Sequence, residues 1–531
     1  LRYAQWRTLP VTQSGSLAAS ILAARGMTWS DILPHDPFAL PDMEKAVERI
    51  KRAVGAGEKI AVYGDYDVDG VTATCILTDY LRSKGADCIH HIPDRREMGY
   101  GLHTSALEQL KARGAALAVT VDVGVTAFEA AAAARDMGLD LIITDHHTCR
   151  DTLPDAVAVV NPKRADSVYP FSELAGAGVA FKLVCALEGE NEGMRYAGLA
   201  ALGTVADLAP LVDENRYITR RGLETLGKHI GISRLLALSG RENKPVTADT
   251  VSFFIAPLLN AAGRMSSADT ALELLQTDDT ERARYLAAAL NDFNERRKEI
   301  ENVMMRQALE MCGDGGGTAI VLAHGDWHPG ITGIMASKLL ERYRKPVFLI
   351  TYDGDKAKGT ARCPKHMDLT EMLGGCGDTL LGFGGHAAAA GFTLETARIE
   401  EFAEAARNAA ASAGQLPREE ALLIDAIVSP SEINRSNAME IAALGPFGAG
   451  NPEPVLRLDR ALIRRVIPLK NGRHLRLEIS AGGVSRSVVC FGFQADGFPY
   501  RVGDTVDLAF KLTLNDFRGE TSAQMELADI R

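Results

Sequence analysis

Between residues 41 and 210, short apolar runs alternate with amphipathic stretches. KIAVYGD (59–65) is an apolar run of strand length, and GVTATCILTDYLRSKG (70–85) carries a helical pattern to a terminal glycine. DCIHHIP, ALAVTVDVG, LDLIITDHH and DAVAVVNP repeat the strand pattern; TSALEQLKARG and the Ala-rich AFEAAAAARDMG repeat the helical one. Strands separated by such helices predict a parallel, doubly wound sheet, with sites at the carboxyl ends of its strands. Residues 1–40 read as helical and loosely patterned. Residues 280–311 contain neither Gly nor Pro and read as one long charged helix, with acid–base pairs one turn apart such as Arg297 and Glu301. The run GDGGG (313–317) marks a boundary, and a second α/β unit runs from TAIVLAHG through KPVFLITYDG to about 412. Beyond a polar linker, ALIRRVIPL, HLRLEIS, SRSVVCFGF and DTVDLAFKLTLN predict a small all-β barrel. The chain is thus an α/β multidomain protein. Its parts are a helical segment (1–40), a first α/β domain (41–279), a connecting helix (280–313), a smaller α/β domain (314–412), a linker (413–420) and a barrel (421–531).

A length of 531 residues agrees with three or four domains, and 46% hydrophobic with 24% charged residues reads as a soluble globular chain. No apolar run reaches the roughly 20 residues that span a bilayer, so no membrane role is expected. The N-terminus, LRYAQWRTLP, has no apolar signal core and no initial Met, and reads as trimmed. Eight cysteines are scattered without a CxxC pair. That spread argues against a disulfide framework or structural zinc and fits a reducing cytoplasm. The net charge of −11 gives no bulk signal for nucleic acid, so any such binding needs a local basic patch.

VYGDYDVDGVTAT (62–74) places Asp65, Asp67 and Asp69 at every second position directly after an apolar run. In an extended segment these side chains share one face, and their repulsion needs compensation. TVDVG adds Asp122, ITDHH adds Asp145, His146 and His147, and LGTVADLAPL adds Asp207, each where an apolar run ends. Singly, such an Asp is a helix cap and such a His a surface residue. Jointly, carboxylates with imidazoles suit divalent metals, and their number suits two ions bridged by an Asp, as in phosphoryl displacement. Asp145 reads as a residue that orients a histidine.

These four motifs resemble those of the DHH phosphoesterase superfamily. WHPGITGIMASKL (327–339), GTAR (359–362) and GFGGHAAAAGF (382–392) resemble the DHHA1 domain. PFGAGNPEP (446–454) and KLTLNDFRG (511–519) resemble the OB-fold segment of the RecJ family of single-strand-specific 5′→3′ DNA exonucleases. The resemblance covers roughly residues 20–531. It implies a DHH catalytic domain, a DHHA1 substrate-binding domain and a C-terminal OB-fold. It also implies two Mn²⁺ or Mg²⁺ ions on Asp67, Asp69, Asp122, His146 and Asp207, with Asp122 as bridge and Asp65 and His147 completing the site. Tyr63 stands where some related phosphoesterases have a histidine. Substrate-contacting positions by the same resemblance are Arg95, Asn260, Arg264, Thr360, Arg362, Gly384, Gly385 and His386.

Residues 457–476, RLDRALIRRVIPLKNGRHLR, hold seven basic residues against one Asp. On alternating strands Arg464, Arg465, Lys470, Arg473 and Arg476 form a basic stripe suited to a nucleic-acid backbone, against the default of a solvated charged face. The resemblance implies hydrolysis of single-stranded DNA to 5′-mononucleotides in repair and recombination. The expected shape is a narrow groove between the two α/β lobes, in a monomeric cytoplasmic enzyme. The resemblance implies a helicase and a single-strand-binding protein as partners. The alternatives are an oligoribonuclease or cyclic-dinucleotide phosphodiesterase of the same superfamily, and a non-catalytic replication-associated scaffold of the same fold.

Overall fold

The computed structural model describes residues 3, 5–10, 15–27, 34–94, 99–414, 421–469, 472–494, 497–517 and 520–531. Arg95, Lys470 and residues 415–420 of the linker lie outside them. The chain forms two compact units: His35–Asp207 with Arg221–Leu416, and Leu1–Pro34 with Leu208–Arg220 and Pro417–Arg531.

The first unit is built on a parallel sheet of β1 (Ile60–Gly64), β2 (Cys88–His91), β3 (Leu117–Val121), β4 (Asp140–Thr144) and β5 (Ala158–Val160), in the order β2-β1-β3-β4-β5. Every residue of β1 and β3 is buried, because both faces are covered. On one face, Leu107 and Leu110 of helix Thr104–Ala112 and Ala130, Ala131 and Ala134 of helix Phe128–Asp136 pack on Ala61, Tyr63, Ala118 and Ile143. The other face is covered by α1 (Val68–Ser83) and α2 (Gly176–Glu188), on which α3 (Ala197–Ala206) packs. The strand order reverses between β1 and β3, and open α/β sheets bind ligands at that point of their carboxyl edge.

Farther along, α4 (Ala256–Met265) precedes α5 (Thr280–Cys312), the long helix expected from its composition. Asp279 caps α5 by accepting from the N–H groups of Glu281 and Arg282. Arg297 donates to Glu301 at 2.6 Å, and the buried Glu301 also holds Lys338. The second sheet contains β6 (Ile320–Ala323), β7 (Val347–Asp353), β8 (Lys356–Arg362), β9 (Gly382–His386) and β10 (Ala389–Glu395), in the order β9-β10-β8-β7-β6. One face packs through Phe348, Ala361 and Phe392 on helices Leu369–Gly375 and Ile399–Ser412. The other packs through Val347 and Leu349 on α5 and α6 (Pro329–Tyr343).

The second unit contains a five-stranded barrel of β11 (Leu456–Leu469), β12 (His474–Ala481), β13 (Val484–Cys490), β14 (Thr505–Phe517) and β15 (Glu520–Ile530), closed by pairing of β11 with β14. Its inward residues include Leu456, Ile463, Leu477, Val488, Leu508 and Phe510. Residues 1–40 are only partly the helical segment expected. Leu17–Ala24 is a helix, but Gln5–Thr8 is a strand paired in parallel with Ala421–Ile424. QWRT is too short to carry a period of its own. Its partner strand and the bond from Trp6 Nε1 to Asp529, 2.9 Å long, supply what local sequence does not.

Candidate active site

Asp65 leaves the end of β1, Asp67 is the N-cap of α1 and accepts from Gly70 N at 3.1 Å, and Asp69 lies in the first helical turn. The expectation of one extended segment with all three on one face is therefore corrected. The chain turns helical at Val68, and a cap at Asp67 competes with extension. Asp69 is redirected inward, where its oxygens accept from Gly176 N at 2.6 Å and Ala177 N at 2.9 Å, the first turn of α2. Gly70 makes the turn possible. A Cβ there would lie 2.5 Å from the Asp65 carbonyl oxygen and 2.7 Å from its carbonyl carbon.

Asp122 follows β3 with φ of 62°, a left-handed conformation that Asp tolerates and that clusters at functional sites. Asp145, His146 and His147 follow β4, and Asp207 is the C-cap of α3. His146 is the meeting point. Its Nε2 lies 3.1 Å from Asp122 Oδ1, 3.8 Å from Asp69 Oδ2 and 4.0 Å from Asp207 Oδ2. Two sets of three bring their oxygen and nitrogen atoms within 4.8 Å of each other and share no residue: Asp69, His146 and Asp207, and Asp65, Asp67 and Asp122. Asp122 also groups with His146 and His147, so it is within reach of both sets.

The electrostatics call for cations. Burial, and then the charges of Asp207 and Asp67, raise Asp69 well above the usual carboxylate range. Burial and the charges of Asp69, Asp67, Asp65 and Asp207 do the same to Asp122. Burial and Asp67 push Asp207 up to about 7. Burial and the charge of His147 hold His146 neutral, down to about 3. Among the described residues, Asp122 Oδ1 and His146 Nε2 are buried without a hydrogen-bond donor or acceptor of their own. A converging acceptor oxygen and imidazole nitrogen fit a divalent ion and suit little else.

Asp145 orients rather than joins this cluster. Its Oδ1 accepts from His146 N at 2.7 Å, His147 N at 3.1 Å and His147 Nδ1 at 2.7 Å, while Oδ2 accepts from Val125 N at 2.9 Å. Burial opposes its charge, yet the hydrogen bond and charge of His147 bring it down to about 2. Reciprocally, burial opposes protonation of His147, but Asp145 raises it to about 9. Tyr63 donates to the Gly101 carbonyl at 2.9 Å and is no substitute ligand.

The second sheet brings its residues to the same place. Across β8, β10 and β9, Arg362 is level with Ala389 and His386, and Thr360 with Gly391 and Gly384. Arg362 and Thr360 also lie opposite Val347 and Leu349, so all four share the face that packs on α6. The His386 ring stacks on His147 at 5.6 Å and 13°, joining the two lobes. Gly385 and Gly384 differ. Gly385 has φ of 146°, and a Cβ there would sit 2.4 Å from the Ala389 carbonyl, whereas Gly384 borders open space. The turn explains Gly385; nothing in the packing requires Gly384 to lack a side chain. Asn260 and Arg264 lie one turn apart on α4, with Arg264 Nη1 donating to Gly330 O at 3.1 Å.

On the barrel, Arg465 and Arg476 point outward and are exposed, Arg464 occupies a bulge, and Arg473 lies in the turn before β12. The stripe is partly neutralised. Arg457 bridges Asp459 and Asp507, and Arg465 lies 3.6 Å from Glu478. His474 and Phe491 pair edge to face beside it.

Sequence reasoning passed over Tyr100, whose hydroxyl lies 3.1 Å from His147 Nδ1, and two residues beyond β5. Asn161 and Lys163 follow β5, and the fully buried Asn161 donates to the His147 carbonyl at 2.9 Å and accepts from Lys163 N at 2.8 Å. The signal was present: the apolar run of DAVAVVNP is stopped by a polar residue, Asn161, at the same sheet edge as the other clusters.

The family model of the DHH family N-terminal domain matches residues 59–204, that of the DHHA1 domain 316–412 and that of the RecJ OB domain 424–529. The single-stranded-DNA-specific exonuclease RecJ of Bacillus subtilis (strain 168) is 37% identical over 536 residues, covering 97% of this chain and 67% of its own length. RecJ of Salmonella typhimurium is 36% identical over 532 residues, covering 92% of this chain and 90% of its own. Among solved structures, RecJ in complex with Mn²⁺ from Thermus thermophilus aligns with a TM-score of 0.86 at 32% identity, over 99% of this chain and 79% of that one. With its three domains matched in order and this identity sustained along nearly its whole length, the chain belongs to the RecJ family.

Proposed function

We propose that the protein is a divalent-metal-dependent exonuclease that hydrolyses single-stranded DNA from the 5′ end and releases 5′-mononucleotides. The observation that carries this reading is the convergence of Asp69, Asp122 and Asp207 on His146, at the carboxyl edge of the sheet, in a chain of the RecJ family. Residues 41–279 perform the chemistry, 314–412 grip the substrate and 421–531 hold the strand.

Asp69, His146 and Asp207 would hold one Mn²⁺ or Mg²⁺ ion and Asp65, Asp67 and Asp122 a second, with Asp122 the bridge. RecJ structures from Thermus thermophilus are in complex with Mn²⁺ and with Mg²⁺. Two such ions supply a nucleophilic water at neutral pH and neutralise charge on the attacking and leaving oxygens. The protein supplies position. Asp145 fixes the ring of His147 through Nδ1, so that Nε2–H, with the Tyr100 hydroxyl 3.5 Å away, can turn to a phosphate oxygen. Arg362 and Thr360 hold a phosphate by charge-assisted and hydroxyl hydrogen bonds, and Gly384 leaves backbone open beside His386. Asn260, Arg264 and Arg95 extend the grip. Arg464, Arg465, Lys470, Arg473 and Arg476 track the backbone.

The oligoribonuclease, cyclic-dinucleotide and scaffold readings gain no observation. The first two have no use for a RecJ OB domain, and a scaffold would not need the full set of carboxylates and both histidines. A helicase and a single-strand-binding protein are the partners this reading calls for, in a monomeric enzyme. None of the eight cysteines forms a disulfide, which supports a reducing cytoplasm, and no helix among the described residues is long and apolar enough to cross a membrane.

The test offers 5′-labelled single-stranded DNA, duplex DNA, short RNA and a cyclic dinucleotide, each with Mn²⁺ or EDTA. Metal-dependent release of mononucleotides from the long single strand is expected. An intact single strand in Mn²⁺ refutes the reading, and cleavage confined to short RNA or the cyclic dinucleotide transfers the assignment.

A further inference from the structure

Among the described residues at the carboxyl edge of the first sheet, Lys163 is a cation that the metal-ligand and phosphate-binding sets leave unused. Thr144 of β4 is level with Val160 of β5, and Asp145 N donates to Val160 O at 3.1 Å, so segments 145–147 and 161–163 leave the sheet side by side. Asn161 ties them by bonding both the His147 carbonyl and Lys163 N. Lys163 is thereby held level with His147, three residues past its strand end.

Its side chain is about one quarter exposed, and Nζ lies 3.5 Å from Glu173 Oε2, a carboxylate that is itself nearly half exposed. That is a long, weak pair. Glu173 immediately precedes Leu174, whose backbone holds the His146 ring, so the ammonium sits against the wall of the site. Its charge is felt at His146, Asp207 and His386, residues from both lobes.

We propose that Lys163 is a further substrate-contacting residue, releasing Glu173 to pair with a non-bridging phosphate oxygen of the strand beside His147 and His386. This rests on the exonuclease reading. The phosphodiester gains negative charge as it is attacked, and a preorganised cation at its edge is worth most at that moment. A lysine suits the place because its ammonium is a point charge on a flexible stem, able to change partner.

The test compares wild type, Lys163→Gln, Lys163→Arg and Glu173→Gln. Exonuclease kcat/KM is measured in Mn²⁺, and single-strand binding in EDTA across a salt series. Lys163→Gln is expected to lower kcat/KM about 10- to 100-fold and to flatten the logarithmic salt slope by about 0.7. Lys163→Arg should stay within about fivefold of wild type, since the charge remains. Glu173→Gln frees the lysine and should tighten binding. The Mn²⁺-induced thermal shift should persist in Lys163→Gln, because no metal ligand is removed. An unchanged salt slope in Lys163→Gln overturns the proposal whatever its activity, as does an activity loss matched by a lost Mn²⁺ shift. If Lys163→Gln does not fold, unchanged or weaker binding by Glu173→Gln overturns it. An inactive wild-type chain overturns the exonuclease reading, and this one with it.

Discussion

Replacing Asp145 with Asn tests whether this buried carboxylate sets the state of His147. The substitution keeps the volume but leaves one acceptor oxygen where two now serve four donors. If the amide oxygen faces the histidines, its NH₂ opposes Val125 N; if it faces Val125, the NH₂ meets three donors. The rise of His147 from 6.5 to about 9 corresponds to roughly 3 kcal/mol favouring the imidazolium. Most of that comes from Asp145, so a loss of about 2–3 kcal/mol is expected below the unfolded pKa of histidine. A raised histidine contributes stability that is complete below 6.5 and disappears as pH climbs through about 9. The gap in urea midpoint between wild type and Asp145→Asn, measured in EDTA, should therefore be largest at pH 6 and shrink by pH 9.5. Exonuclease activity in Mn²⁺ should fall about 10- to 100-fold, as for other residues that orient ligands. An equal gap at both pH values, or full activity, refutes the assignment of His147 as an Asp145-held imidazolium.

Three further outcomes follow from the same geometry. Asp207 is raised to about 7 without metal, so the folded state binds more protons than the unfolded one between roughly pH 4 and 7. The EDTA-treated protein should lose stability as pH rises through that window, and the Mn²⁺-induced rise in melting temperature should be larger at pH 8 than at pH 6. A Mn²⁺ effect independent of pH would contradict the cluster's mutual repulsion. Gly70→Ala forces a methyl group against the Asp65 backbone and should cost about 1–3 kcal/mol or more. Calorimetry should show a lower melting temperature and a weaker Mn²⁺ shift, and an unchanged melting temperature would refute the steric argument. Neutralising Arg464 and Arg465 should weaken single-strand binding and flatten the salt slope by up to about 1.4, less if Glu478 already engages Arg465. An unchanged slope would return both to an ordinary solvated face.

The parallel sheet was legible because strands buried on both faces are continuous apolar runs, and the polar residue that ends each run marks the active edge. Asp65, Asp122 and the two histidines were readable by that rule alone. Asp69 was readable as a carboxylate but not as a helical one, because the cap at Asp67 decides the backbone there. Gly384 and His386 meet Arg362 and Thr360 only through the register of β9, β10 and β8, which local sequence does not encode. Arg457 looked like part of a basic stripe; Asp459, two residues on, was in view, but the arginine's second partner Asp507 lies on another strand of the barrel, out of reach of any local window. The strand Gln5–Thr8 was misread for the same reason.

That strand has a consequence for the order of synthesis. Gln5–Thr8 leaves the ribosome some 400 residues ahead of Ala421–Ile424, which at about 5–20 residues per second is a delay of about 20–80 s. The catalytic sheet can be complete within that interval, while Trp6 and its neighbours await the last segment of the chain. A barrel expressed from residue 421 alone would present the Ala421–Ile424 edge unpaired, an invitation to associate with another copy. Joining Tyr3–Leu9 ahead of such a fragment would return its missing strand.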